Sequence, residues 1–131
     1  MTKSEIAEMY SSYLAEEGYS PKIDEDGDVV FKFEGGTYFV AIDEDDAEFF
    51  RVVLANIWAI ESEAEGEKVL RAALHATSRT KVVKVLPVRD NTWASVEMFC
   101  SPPQSFRNVF PRALRSLQVG VRHFREKMQE G

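Results

Sequence analysis

The stretch "GDVVFKFEGGTYFVAID", residues 27–43, limits what this chain can fold into more than any other segment. Two alternating apolar runs flank Gly35-Gly36, the pattern of two strands joined by a two-residue hairpin loop. Such a loop sets Glu34 opposite Thr37, Phe33 opposite Tyr38, Phe31 opposite Val40 and Val29 opposite Ile42. One face then carries Val29, Phe31, Phe33, Tyr38, Val40 and Ile42, and the other carries Val30, Phe39 and Ala41. A slip of one residue would mix the first set with Lys32 and Glu34, so the register is strongly specified.

The acids before the hairpin, in "KIDEDGDVVF", raise the question of a calcium loop. A helix–loop–helix calcium site needs oxygens at positions 1, 3 and 5, a glycine at 6 and a bidentate glutamate at 12. Counting from Asp24 puts Val29 at position 6 and Gly35 at position 12. Counting from Asp43 puts Ala47 at position 5 and Leu54 at position 12. Neither run closes a cage. Asp26-Gly27 is turn chemistry.

The rest of the chain sorts into helices and strands. Thr2 and Glu5 have capping-box spacing ahead of a stripe of Ile6, Met9, Tyr10, Tyr13 and Leu14, and Gly18 stands where a helix stops. Tyr19 to Asp24 is short and contains Pro21, which predicts a weak edge strand. "AEFFRVVLANIWAI" is apolar in both parities and rich in β-branched and aromatic residues, which predicts one long strand buried on both faces. Ser62 and Glu65 cap a second helix whose stripe would be Val69, Leu70, Ala73, Leu74 and Thr77. "KVVKVLPV" and "WASVEMFC" form a second hairpin across Arg89-Asp90-Asn91. Phe110, Leu114, Leu117, Val121, Phe124 and Met128 make the seam of a last helix, starting near Asn108 because Pro111 is tolerated only in a first turn. The order helix, four strands, helix, two strands, helix predicts an α+β fold with an antiparallel sheet, in a single domain over 1–131.

Charge and composition narrow the setting. No apolar stretch reaches membrane-spanning length, the amino terminus has no signal-peptide apolar core, and Cys100 is alone, so a cytoplasmic protein with no membrane partner is expected. The net charge of −6 hides a division: residues 1–66 hold 17 acidic and 4 basic side chains, and the remainder hold 5 and 12. A basic patch of Arg112, Arg115, Arg122 and Arg125 on the last helix is the candidate for nucleic acid or an acidic partner. Solvated charges that neutralise one another are the competing account.

A search for catalytic chemistry finds none. His75 and His123 lie on different helices with no metal-ligand spacing, and there is no nucleophile elbow, phosphate loop or dinucleotide fingerprint. Cys100 shares its parity with Ala94, Val96 and Met98 and reads as core. Glu97, between Trp93 and Phe99 on one parity, belongs to a solvated face or a groove, the solvated face being the simpler assignment. The expectation is therefore a non-enzymatic protein with no catalytic residues, no metal and no cofactor.

"GDVVFKFEGGTYFVAID", "FFRVVLANIW", "VVKV", "WASVEMF" and "FPRALRSLQ", in this order from Gly27 to Gln118, resemble the YbjN-like family of small bacterial sensory-transduction regulators. That family is grouped with the type III secretion chaperone-like fold. The resemblance implies a non-enzymatic homodimer that holds a partner polypeptide on its sheet or helix surface. Its arginine-rich last helix departs from secretion chaperones, which tend to be acidic throughout. Candidate partner or dimer residues are Val30, Phe39, Ala41, Trp58 and Trp93, with Phe39 near the centre of a two-fold contact and the second helix alongside. A nucleic-acid regulator working through the arginines is the alternative.

The acidic runs generate one test. Calorimetric titration with calcium should show no stoichiometric micromolar binding. A saturable signal lost in Asp26→Asn would overturn this reading.

Overall fold

The computed structural model describes residues 1–130. Among these the elements run α1 (Lys3–Glu16), β1 (Lys22–Ile23), β2 (Val29–Phe33), β3 (Gly36–Val40), β4 (Phe49–Leu54), α2 (Glu63–Arg79), β5 (Val83–Val88), β6 (Asn91–Phe99), a 3-10 segment (Pro103–Asn108) and α3 (Phe110–Gln129). The order of helices and strands is the one predicted, with the 3-10 segment added. The sheet has strand order β1-β2-β3-β4-β6-β5. The β1–β2, β2–β3 and β5–β6 pairs are antiparallel. The same sense holds for β4 and β6: Cys100 N–H donates to the Glu48 carbonyl and Ile57 N–H to the Thr92 carbonyl, so one chain climbs as the other descends. The fold is α+β. The chain groups into two compact units, Met1–Val53 with Glu97–Phe110, and Leu54–Val96 with Pro111 onward.

In the first unit, aromatic rings build the core. The Thr2 hydroxyl accepts from Glu5 N–H while Thr2 N–H donates to the Glu5 carboxylate, a complete capping box that starts α1. These bonds hold the Glu5 carboxyl below its usual range. α1 then delivers Tyr10 and Tyr13 to Phe106, at ring separations of 4.5 and 5.1 Å. Phe50 and Phe110 pack at 6.0 Å, and Phe31 lies 5.8 Å from Phe110. Phe31, Phe50, Phe106, Phe110 and Tyr10 are essentially inaccessible.

The hairpin keeps its predicted faces but not its predicted loop. Val29 pairs with Val40, Phe31 with Tyr38 and Phe33 with Gly36, so the loop is Glu34-Gly35. A type I′ turn requires positive φ at both central residues. Glu34 (φ 45) and Gly35 (φ 81) supply it, and Gly36 does not. A Cβ on Gly36 would instead stand 2.9 Å from the Tyr38 ring. The shift moves every pairing by two residues, which preserves parity. Ile42 falls beyond the end of β3, and its N–H donates to the Asp28 carboxylate.

The second unit corrects two further expectations. The long predicted strand stops at Leu54, because Asn56 adopts a left-handed conformation (φ 57) that short polar side chains tolerate. Ile57 and Ile60 nevertheless stay bonded to the carbonyls of Thr92 and Asp90. α2 buries Val69, Ala72, Ala73 and Ala76, leaving Leu70 and Leu74 exposed at 56% and 71%. The small residues, not the large ones, face inward. The seam of α3 is as read from the sequence, with Phe110, Leu114, Leu117, Val121, Phe124 and Met128 all buried.

The turn gives a stability test. Gly35→Val should lower stability by about 1–3 kcal/mol, since a β-branched residue is strained at positive φ. Chemical denaturation measures it, and an unchanged midpoint would exclude the type I′ loop.

Candidate functional site

The edge of the sheet in the first unit is the part that is left incomplete. Its geometry begins at the end of α1. Gly18, at φ 94, donates to the Ala15 carbonyl and Tyr19 N–H to the Leu14 carbonyl, a Schellman motif that turns the chain sharply. The turn lays the Tyr19 ring 5.4 Å from Phe31 and 5.9 Å from Phe33. The chain then runs into β1, which has only two residues against five in β2. β1 covers Val29 and Val30, through the pairs Ile23–Val29 and Lys22–Val30. The register puts no residue of β1 opposite Lys32.

Which way the Lys32 main chain points follows from antiparallel alternation. Phe33 and Gly36 close the two-residue loop as a hydrogen-bonded pair, so Lys32 and Thr37 form the next, non-bonded pair. The Lys32 N–H and C=O therefore face away from β3. The other ladder gives the same phase. Asp24 N–H donates to the Asp28 carbonyl at 2.9 Å, which makes Lys22–Val30 the following bonded pair and directs Lys32 outward again. A recess of about 420 Å³ lies at this edge, lined by Gly18, Tyr19, Ser20, Lys22, Val30, Phe31 and Lys32. Lys22, Val30 and Lys32 share one sheet face, because the first two are opposed and the third is two residues on. Both lysines are exposed.

The acidic turn beside the edge works as backbone chemistry. The Asp24 carboxylate accepts from Asp26 and Asp28 N–H at 2.9 and 3.0 Å. Asp43 and Asp46 accept from Asp45 and Glu48 in the same way. Among the described residues, no group of three or more His, Cys, Asp or Glu side chains is placed to hold a metal ion. Burial pushes the Cys100 thiol up, away from the thiolate that nucleophilic chemistry requires.

The sequence-derived candidates fall in both units. In the first, Val30 opposes Phe39, and Ala41 N–H donates to the Arg51 carbonyl; all three side chains are half-buried, on the sheet face opposite Phe31. Arg51 and Glu97 lie on that face too, with Nε 3.4 Å from Oε2. This is an ion-pair distance, but the buried Nε lacks hydrogen-bond geometry to it. Glu97 is thus part of a half-buried pair and not simply solvated. Phe99, 76% exposed, meets Phe49 at 5.9 Å.

In the second unit, Trp58 packs edge-on against Phe124 at 6.1 Å and its indole donates to Glu65. Trp93 donates to Asn56 and lines a recess of about 480 Å³ at the β5–β6 turn. Arg112, Arg115, Arg122 and Arg125 are all exposed on α3. His75 accepts from Arg79, and desolvation together with the nearby Arg79 and Lys127 cations lowers its pKa.

Lys22 and Lys32 were not singled out by sequence reading. The available signal was the short, proline-bearing edge segment itself, too brief to cover a five-residue neighbour.

No family model matches the chain, and no curated protein does. Among solved structures the chain is similar to the Yersinia pestis type III secretion chaperone SycH, solved in complex with a stable fragment of YscM2. The identity is 13%, the match covers 89% of this chain and 98% of that one, and the TM-score is 0.48.

Proposed function

We propose that this protein is a non-enzymatic polypeptide-binding module that captures an extended segment of a partner by adding it to the free edge of β2. The observation that supports this most directly is the outward-facing N–H and C=O of Lys32 at the mouth of a 420 Å³ recess. Main-chain bonds of this kind contribute about 0.5–1.5 kcal/mol each, and pockets for alternate side chains add selectivity. Regulation through a captured segment fits the YbjN-like resemblance, as does a cytoplasmic setting.

Lys32→Pro isolates the edge, because an outward N–H is dispensable to the β2–β3 ladder. Panning a library of extended peptides should enrich binders with the native protein and not with Lys32→Pro, while the circular dichroism of the two stays alike. Equal enrichment of the same peptides by both would refute strand addition.

The assembly is proposed to be a homodimer, with Val30, Phe39 and Ala41 contributing to the contact and Trp58 and Trp93 as further candidates. Light scattering at micromolar concentration should give twice the 14.9 kDa chain mass. Phe39→Asp should return it to the monomer mass, and a folded, dimeric Phe39→Asp would place the interface elsewhere.

A second reading, nucleic-acid regulation, is favoured by the exposure of all four α3 arginines. Binding of this kind weakens steeply as salt rises.

A further inference from the structure

We infer that the edge of β2 selects an acidic extended segment, one that alternates carboxylate and apolar side chains. The inference rests on the strand-addition reading and concerns the chemistry of the strand that is added.

An incoming strand must place one residue opposite Lys32, the first outward-facing position past the end of β1. That residue projects on the same sheet face as Lys32, Val30 and Lys22. Two exposed ammonium groups therefore flank the position, on the two lysines that line the recess. A carboxylate there meets both. A lysine or arginine there would be repelled by both, and an apolar side chain would strip water from the ammonium groups without replacing it.

The residues on either side of that position point to the other face. There they meet the half-buried Phe33 and the half-buried Tyr19 ring tilted against it. Apolar side chains extend that aromatic surface. The selected pattern is thus apolar–acidic–apolar, with its register set by the lysines.

Exposed edges are commonly guarded by lysine against indiscriminate pairing. The same two charges that exclude apolar and basic strands leave acidic ones admitted, so protection and selection come from one device. Residues 1–66 as a whole are strongly acidic, with 17 carboxylates against 4 cations, and two of those four cations stand at this edge.

The test uses two short blocked peptides, one alternating valine with glutamate and one alternating valine with lysine, titrated into the full chain at low salt. Amide NMR reads the Lys32 N–H, and fluorescence polarisation reads affinity. Exposed ion pairs are individually weak, so exchanging attraction for repulsion at two lysines should separate the peptides by about tenfold. The doubly reversed Lys22→Glu, Lys32→Glu variant should invert the preference, and Lys32→Gln should narrow it. Equal affinity of both peptides for the native chain overturns the acidic preference and leaves strand addition standing. If neither peptide shifts the Lys32 amide, strand addition itself is removed, and the preference with it.

Discussion

The contact between Tyr10 and Phe106, at 4.5 Å, ties together parts of the first unit that are far apart in sequence. Phe106 sits on the 3-10 segment, Tyr10 on α1, and both touch Phe50 of β4. Phe110 joins the group and reaches Phe31 of β2. Each such ring buries a large area and adds about 0.5–1.5 kcal/mol through ring geometry. The consequence for function is positional. Tyr19 leaves α1 at a fixed angle because α1 is clamped by Tyr10 and Tyr13, and Tyr19 in turn covers Phe31 and Phe33. The main-chain edge beyond Val30 lies over side chains that are packed against one another.

What was legible in the sequence followed from periodicity. The alternation of Val29, Phe31, Tyr38 and Val40 survives a one-residue displacement of the loop, because that displacement shifts each cross-strand partner by two residues and strand faces repeat every two. The seam of α3 was legible because burial of one stripe leaves few alternatives for large apolar residues. α2 was misread for a physical reason. Hydropathy ranks Leu70 and Leu74 above Ala72 and Ala76, but a helix can instead bury its small residues. Side-chain size at the contact decided the face, and no single-sequence scale carries that information.

The end of β4 shows another limit. Nothing in "VVLANIWAI" forbids a strand through residue 58, and only Asn56 is able to adopt positive φ cheaply. Its carboxamide also receives the Trp93 indole N–H, so the kink and the neighbouring strand are coupled through one side chain. Sequence reasoning found Trp93 and Trp58 as notable aromatics. It did not find that each indole N–H is already engaged, Trp93 with Asn56 and Trp58 with Glu65.

The brevity of β1 is the last link between fold and function. Ser20 would be the natural partner of Lys32 if β1 continued in register. Beyond it the Schellman turn at Gly18 and Tyr19 pulls the chain back to α1. The strand is therefore short because both of its ends are committed elsewhere: one to the helix cap, the other to the Asp24 turn that fixes the start of β2. A sheet whose edge is truncated in this way keeps one residue's donor and acceptor directed away from its paired neighbour. In the proposed strand addition, Lys22 and Lys32 set which external segment reaches them.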